Sequence, residues 1–318
     1  MSKTLLLVTG LMALAFSVSA TPAPAPVKKD LTLEQKRDEK FQEAWFKAGP
    51  WITDYDKARA ESKASGKPIF AYFTRSYAAC GFCAALEKGA LSEPDFQVFA
   101  KDVVLFCHIT SQVPGEPYPD LFQQKGGKGF PHLAFLDAEG EVLLAHSGAR
   151  TVEKFRRTAE KVQAYRALQR KAAGGDKAAG FDLLVAGLEM GRVTFEEGQK
   201  EVAASGDLTP ERKAALVPAL AAAEVRSVVA TLDSKDEAAC LAAGKHFLDM
   251  KLAGRIPTGE VDSQPFWVRM MNYAAHEKNP ALFEEGLVAL KTLLGDNPQA
   301  KAFFVKRQAQ LDALKAGR

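Results

Sequence analysis

The chain has 318 residues, of which 47% are hydrophobic and 25% are charged, and its formal net charge is +3. This length allows two domains of ordinary size, and the composition is that of a soluble globular protein. This net charge is small, and many nucleic-acid-binding proteins are strongly basic, so we expect no nucleic-acid partner. Four cysteines in a chain this long exclude a disulfide-rich scaffold. Composition therefore gives a broad class but no activity.

The first 30 residues predict export. Residues 1–20 combine Lys3, a short apolar run and Val18-Ser19-Ala20, which together have the pattern of a signal peptide with its cleavage site. A membrane anchor is the alternative, but the apolar run is shorter than the roughly 20 residues that a span needs. Residues 21–30 are a Pro/Ala-rich linker. We expect an exported protein, most simply periplasmic, that is not membrane-embedded after signal cleavage.

Residues 31–173 predict an α/β domain with a helical lead-in. Two continuous apolar runs, Ile69–Phe73 and Val103–Ile109, are typical of strands buried on both faces of a parallel sheet. Two further strands, at 133–136 and 141–146, predict an antiparallel hairpin. Helices are predicted at 31–48, 51–65, up to about 89, after a Ser92 cap, at 120–125 and from 151. This order predicts a central mixed sheet flanked by helices, with a right-handed crossover between its first two strands.

Cys80-Gly81-Phe82-Cys83 follows the loop after the first strand. Cys80 falls where a helix should begin, and the unpaired N–H groups and positive dipole of a helix N-terminus stabilise a thiolate. Cys83 lies one turn further on, close enough to form a small disulfide. A strand, a loop, this motif and a helix predict redox chemistry. A structural zinc half-site and a purely structural disulfide are the alternatives, although zinc would need a second ligand pair and Cys107 and Cys240 stand alone.

Several motifs at compatible spacing accompany the cysteines. They are Lys67-Pro68, Cys80-Gly81-Phe82-Cys83, Gly129-Phe130-Pro131, Phe135-Leu136-Asp137 with Gly140, and Ser147-Gly148-Ala149. On these motifs residues 51–164 resemble exported members of the thioredoxin superfamily. The resemblance implies a thioredoxin-like fold, a cis Phe130-Pro131 peptide packed against the disulfide, Cys80 as the exposed nucleophile and Cys83 as the buried resolving thiol. It also implies that a substrate strand pairs with the backbone of Phe130 beside Pro131, and we interpret Tyr77 and Phe82 as an apolar rim for a partner polypeptide.

The sequence departs from the family pattern in two places. Ala79 stands where the family commonly has tryptophan, and the first strand lacks the buried acidic residue that exchanges protons with the resolving cysteine. The proton of Cys83 then needs another route, through water or through Glu87 one turn further on. Gly81-Phe82 looks more like the aromatic-containing pair of periplasmic disulfide isomerases than the Gly-Pro of cytosolic reductases. The direction of thiol–disulfide exchange, reduction or oxidation of the substrate, depends on the reduction potential of the cysteine pair, which one dipeptide does not determine.

Two neighbouring residues have open roles. His132 follows Pro131 and either lies near the cysteines, where it would tune Cys80 or help to bind a soft metal, or faces away along the strand, which is the interpretation we favour. Cys107 falls in the second strand, where a cysteine is usually a small buried hydrophobe rather than a third redox thiol. We expect no metal and no dissociable cofactor at the site.

Beyond Gly174-Gly175-Asp176 only helical patterns remain, so residues 174–318 predict an all-helical domain, either a helical repeat or a compact bundle. Its helices are expected near 177–190, 195–205, 210–232, 235–253, 264–278, 280–294 and 298–315, with caps at Thr194, Thr209, Asn279 and Asn297. Cys240 is expected in its core. No catalytic constellation is present there, so we expect this domain to serve recognition or oligomerisation.

Two function classes remain open. The first, which we favour, is an exported thiol–disulfide oxidoreductase, of the reductase or isomerase type, that acts on protein disulfides or thiols. Its nucleophile is Cys80, its resolving thiol is Cys83, and an external redox partner regenerates the pair. The second is a non-catalytic thioredoxin-like binding protein whose cysteines hold a soft metal or a static disulfide.

Overall fold

A computed structural model of the protein describes residues 30–206, 208–295 and 300–317. The predicted signal peptide and all but the last residue of the predicted linker lie outside the described residues. The described chain contains four strands, β1 (Ile69–Arg75), β2 (Val104–Thr110), β3 (His132–Leu136) and β4 (Val142–Ala145). Its helices are α1 (Leu33–Lys40), α2 (Ala44–Ala48), α3 (Tyr55–Ser65), α4 (Gly81–Lys88), α5 (Pro94–Phe99), α6 (Leu121–Gln124), α7 (Val152–Ala173), α8 (Lys177–Glu189), α9 (Phe195–Ala204), α10 (Pro210–Thr231), α11 (Glu237–Leu252), α12 (Glu260–His276), α13 (Pro280–Leu294) and α14 (Lys301–Lys315).

The four strands form one mixed sheet in the order β2-β1-β3-β4. β1 runs parallel to β2 and antiparallel to β3, and β3 pairs with β4 as an antiparallel hairpin. Six of the seven residues in both β1 and β2 are buried, as their continuous apolar sequences predict. The predicted mixed sheet and its hairpin are therefore confirmed.

The sheet separates two layers of core. Side chains of β1 alternate between its faces, so that Phe70 packs with Phe155 of α7 in one layer and Phe73 packs with Phe122 of α6 in the other. α4 belongs to the first layer through Leu86, together with α5 and α7. Each of these buried aromatic side chains contributes about 1.5–3 kcal/mol through burial. The helix that carries the cysteines thus rests on the same face of the sheet as α7.

Several predicted boundaries in the lead-in and the crossover were wrong. The predicted helix at 31–48 is two helices, α1 and α2, separated by a turn, and the one predicted from 51 begins only at Tyr55. Residues 51–54 stay extended because Ile52 forms a parallel bridge with Phe106 of β2. Ser92 does not cap α5, since it ends a 3₁₀ turn and its hydroxyl donates to the Glu87 carbonyl (2.6 Å). At residues 51–54 tertiary pairing thus overrides a local helical preference.

The C-terminal part is all-helical within the described residues, as predicted. Thr194, Thr209 and Asn279 each accept a backbone N–H at a helix start, which confirms these caps, whereas Asn297 lies outside the described residues. α12 begins four residues before its predicted start and continues through Pro265. Its early turns are held by buried side chains, including Ser263, whose hydroxyl donates to the Pro257 carbonyl (2.7 Å).

Among the described residues, α10 is the one helix that is long and apolar enough to cross a membrane by length and composition. In this fold Ala221 and Val225 of α10 pack with Phe247 and Phe266 of neighbouring helices. Glu224 on the same helix is buried and accepts hydrogen bonds from His246 and Arg255. These are the contacts of a helix packed inside a helical domain.

Candidate active site

Cys80 is the N-cap of α4. Its backbone is extended (φ −135°, ψ 96°), its sulfur accepts the N–H of Cys83 (3.2 Å), and its carbonyl accepts the N–H of Ala84 (3.0 Å). Cys80 and Cys83 are joined by a disulfide. Because Cys80 lies at the positive end of the helix dipole and its sulfur accepts a backbone N–H, a thiolate on that sulfur would be stabilised.

The two cysteines differ sharply in exposure. Cys83 is 1% exposed and belongs to the interior, whereas Cys80 is half-buried. Phe82, between them in sequence, is 71% exposed. A partner molecule can therefore reach Cys80 past an exposed aromatic ring, while Cys83 is sheltered beneath it.

A buried carboxylate lies one helical turn beyond Cys83. Glu87 follows Cys83 by four residues, so the two side chains share one face of α4. Glu87 is 2% exposed and accepts hydrogen bonds from the hydroxyls of Tyr72 (2.7 Å) and Thr74 (3.1 Å). The Lys40 ammonium contacts both of its oxygens, at 2.6 and 2.7 Å. Four short contacts and a counter-charge make this burial possible.

Side chains from both β1 and α4 form this acidic site. β1 has no carboxylate, as its sequence shows, but it turns Tyr72 and Thr74 toward α4, and α4 supplies Glu87. Burial, and next the charge of Glu87, raise the pKa of Tyr72, so its hydroxyl remains a donor. Burial, and next Glu87, also raise the pKa of Cys107, which is 1% exposed. Cys107 is thus a buried, protonated thiol, and its predicted burial is confirmed.

The lead-in helices cover this acidic site. Trp45 of α2 meets Tyr72 edge-on, with ring centroids 5.6 Å apart, and Lys40 of α1 lies 5.9 Å above the Trp45 ring. Between α1 and α4 a cavity of about 670 Å³ opens, lined by Lys40, Glu87 and Cys80 among others. The lead-in is therefore a wall of the site rather than a detached tail.

The Phe130-Pro131 peptide bond is cis, which confirms the expectation from the resemblance. The Phe130 ring stacks on Phe122 (centroids 4.3 Å apart) and meets Tyr77 edge-on at 6.5 Å. Within the described residues, the main-chain N–H and C=O of Phe130 make no hydrogen bond. A donor and an acceptor are therefore available where we expect a substrate strand to pair.

His132 faces away from the cysteines, as the favoured interpretation predicts. Its Nε2 lies 3.0 Å from the Lys125 carbonyl, and its ring packs against Phe73 and Phe122, on the sheet face opposite α4. Burial lowers the pKa of His132. Across the described ranges, no cluster of three or more His, Cys, Asp or Glu residues is arranged to hold a metal ion.

Two residues beside the candidate site have no signal in the local sequence, and Cys240 lies elsewhere than predicted. Lys40 precedes Glu87 by 47 residues, and no local pattern links them. Arg75 ends β1 and contacts the loop before Cys80, a contact that only the folded chain reveals. Cys240 is not in a core: it is half-buried, its sulfur lies near the Asp233 and Ser234 carbonyls in the loop before α11, and it accepts a hydrogen bond from Arg269 of α12 (3.2 Å).

Comparison with known proteins agrees with this geometry. Residues 55–163 match the family model of a thioredoxin-like domain. A solved structure titled "DsbH Oxidoreductase" is 25% identical over 36% of this chain and 85% of that chain, with a TM-score of 0.32. No curated protein matches the chain. The matched residues contain the whole sheet, the disulfide and the cis peptide, so residues 55–163 of this chain form a thioredoxin-like domain. A C-x-x-C pair in this domain indicates thiol–disulfide oxidoreductase chemistry.

Proposed function

We propose that the protein is an exported thiol–disulfide oxidoreductase, of the reductase or isomerase type, that acts on the disulfides of protein substrates. The observation that carries this proposal is the asymmetry of the cysteine pair. Cys80 is accessible at a helix N-terminus, and Cys83 is buried one turn behind it. A static structural disulfide has no need for an accessible, thiolate-stabilising partner, whereas an exchange reaction does.

The reaction proceeds in two exchange steps. The Cys80 thiolate attacks one sulfur of a substrate disulfide, whose S–S bond breaks and releases the other sulfur as a thiolate that takes up a proton. The Cys83 thiolate then attacks Cys80 in the mixed disulfide, which frees the second substrate sulfur. The substrate gains two electrons, the Cys80–Cys83 pair loses them, and an external dithiol partner restores the reduced pair. Isomerisation uses the first step and returns the mixed disulfide to another substrate cysteine.

Cys83 must lose a proton for the second step, and Glu87 is the acceptor that we propose. It lies on the same face of α4, and it is buried with the hydroxyls of Tyr72 and Thr74 and the ammonium of Lys40 around it. A general base must first lie within reach of the proton that it removes, and it must then be in the protonation state that accepts this proton. Glu87 on α4 thus takes the proton-accepting role that β1, which has no carboxylate, cannot provide.

Substrate binding is proposed for the surface around Cys80. Phe82 supplies an exposed aromatic contact, and the unpaired backbone of Phe130 next to Pro131 supplies a donor and an acceptor for an extended peptide. Pairing of a substrate strand with such a backbone gives affinity without strict sequence preference. This arrangement suits unfolded or partly folded protein substrates.

Covalent trapping tests the proposal. Full-length protein with Cys83→Ser, expressed in a bacterium, should accumulate mixed disulfides with exported proteins, because no resolving thiol remains. The control carries Cys80→Ser together with Cys83→Ser and should trap none. Mass spectrometry identifies the captured proteins and also shows whether the mature chain begins at Thr21. Absence of reductant-sensitive complexes, together with metal bound to the reduced parent protein, would favour the binding-protein alternative instead.

A further inference from the structure

Arg75 connects the two loops that border the disulfide. One of its terminal nitrogens donates to the carbonyl of Ala79 (2.7 Å), which is bonded to the backbone nitrogen of Cys80. Its guanidinium also lies 5.6 Å from the ring centroid of Tyr77 and 5.8 Å from that of Phe130. One planar cation therefore contacts both the residue before Cys80 and the residue before Pro131.

Among the described residues, the charge of Arg75 has no acidic partner. The cavity beside Cys80 is lined by Arg75 and six other charged side chains, from α1, the turn before α2 and α4: Lys36, Glu39, Lys40, Glu43, Glu87 and Lys88. Three lysines balance three glutamates, and Lys40 contacts Glu87 and Glu43. Arg75 forms no salt bridge within the described residues, and its Nε is buried there without a hydrogen-bond partner. The surroundings of Cys80 consequently carry one unmatched positive charge.

An unmatched guanidinium at this position has a defined chemical effect. A nearby cation favours the thiolate over the thiol, and arginine stays charged at every relevant pH. Arg75 lines the same cavity as Cys80 and donates to the carbonyl of the residue before it. Two aromatic faces hold the guanidinium in place. Because Arg75 is half-buried, salt screens its charge less than that of an exposed residue.

We propose that Arg75 is a positioning residue of the redox site. It fixes the Cys80 loop against the Phe130-Pro131 loop and supplies the positive charge that stabilises the Cys80 thiolate. This inference deepens the proposed function, since it concerns the same nucleophile. Its test reads the protonation of Cys80 directly, so it succeeds or fails whether or not protein substrates are trapped.

The test is a titration of the Cys80 thiolate by ultraviolet absorbance in full-length reduced protein with Cys83→Ser. In that background Arg75→Gln should raise the midpoint by about one pH unit. Arg75→Lys, which keeps the charge but loses the planar fork, should raise it by less than half as much. Arg59→Gln is the matched control, because Arg59 also lies over an aromatic ring (Tyr55, 5.7 Å) and donates to a carbonyl (Ala138, 3.3 Å), but is absent from the residues that line the cavity beside Cys80. It should leave the midpoint unchanged.

Three results would overturn the proposal. They are an unchanged midpoint in folded Arg75→Gln, equal shifts in the Gln and Lys variants, and an equal shift in the Arg59 control. Should Arg75→Gln fail to fold, Arg75→Met provides a second neutral variant, whose unbranched stem can still lie between the two rings. The same shift is expected of it.

Discussion

Replacing Lys40 with methionine should destabilise the protein through the carboxylate that it leaves behind. Lys40 is the cation in contact with Glu87, and their side chains are 14% and 2% exposed. Methionine is close to lysine in length and is apolar, so the packing of the stem against Trp45 is largely preserved. The loss therefore reports on the unpaired charge of Glu87 rather than on a cavity.

The magnitude follows from the geometry. Removing one partner of a buried ion pair costs about 3–5 kcal/mol, because an uncompensated charge remains inside. The hydroxyls of Tyr72 and Thr74 still donate to Glu87 and solvate it in part. We therefore expect a loss near the lower end, about 3 kcal/mol at neutral pH.

The assay is urea unfolding of the oxidised protein followed by tryptophan fluorescence. The chain has three tryptophans, and Trp267→Phe leaves as reporters Trp45, which lies beneath the Lys40 ammonium, and Trp51, which packs against Trp45. A double-mutant cycle compares Lys40→Met, Glu87→Gln and the combined variant. Lys36→Met is the control, because Lys36 lines the same cavity from the same helix and forms no salt bridge among the described residues.

The double-mutant cycle distinguishes a loss caused by the unpaired Glu87 charge from a loss caused by packing of the Lys40 side chain. If Glu87 is the origin of the loss, the combined variant should recover most of it, with a coupling of about 2 kcal/mol or more. A loss of the same size with and without the Glu87 carboxylate would show that Lys40 acts through packing alone. In that case the account of the buried pair would be refuted.

Three further predictions follow from the site and the domain boundary. In reduced Cys83→Ser protein the pKa of the Cys80 thiol, measured by thiolate absorbance, should lie below the ordinary value of about 8.5. A pKa at or above that value would show that the thiol is not activated. Phe82→Ala should slow exchange with a protein disulfide about tenfold, the effect of about 1.4 kcal/mol of lost contact, and leave the rate with a small aromatic disulfide unchanged. A chain ending at Ala173 should fold and react with the small disulfide, but it should unfold at a lower urea concentration than the full chain. The truncation removes Met190, which packs against the first core layer, and Arg192, which lies over the Tyr165 ring and donates to the Val142 carbonyl.

Features that depend on neighbouring residues in sequence were predictable. The two continuous apolar runs predicted buried strands, and a threonine or asparagine before a charged or proline-led helix predicted its cap. The C-x-x-C motif also placed Cys80 at the start of α4, because the loop before it and the apolar spacing after it leave little choice. The cis peptide came from the resemblance alone, since no local chemistry separates it from a trans bond.

Features that depend on distant segments were not predictable. Lys40 meets Glu87, Arg75 meets Phe130, and Ile52 bridges to Phe106 only after the sheet has formed. Each of these residues is unremarkable within its own window of sequence. A lysine at the end of a short, highly charged helix is usually solvated, and only the buried carboxylate opposite it gives it a role.

The candidate site of this protein extends beyond the residues that match a thioredoxin-like domain. That match begins at residue 55, whereas Lys40 and Trp45 precede it. A fold that buries a carboxylate beside its resolving thiol must also bring in a positive charge, and here the charge arrives from a helix added in front of the domain. Because the Lys40 ammonium that compensates Glu87 belongs to that helix, displacement of α1 would leave the buried carboxylate without its counter-charge. We therefore expect that a stable fragment containing the whole candidate site must begin before Leu33, at Thr32, the cap that starts α1.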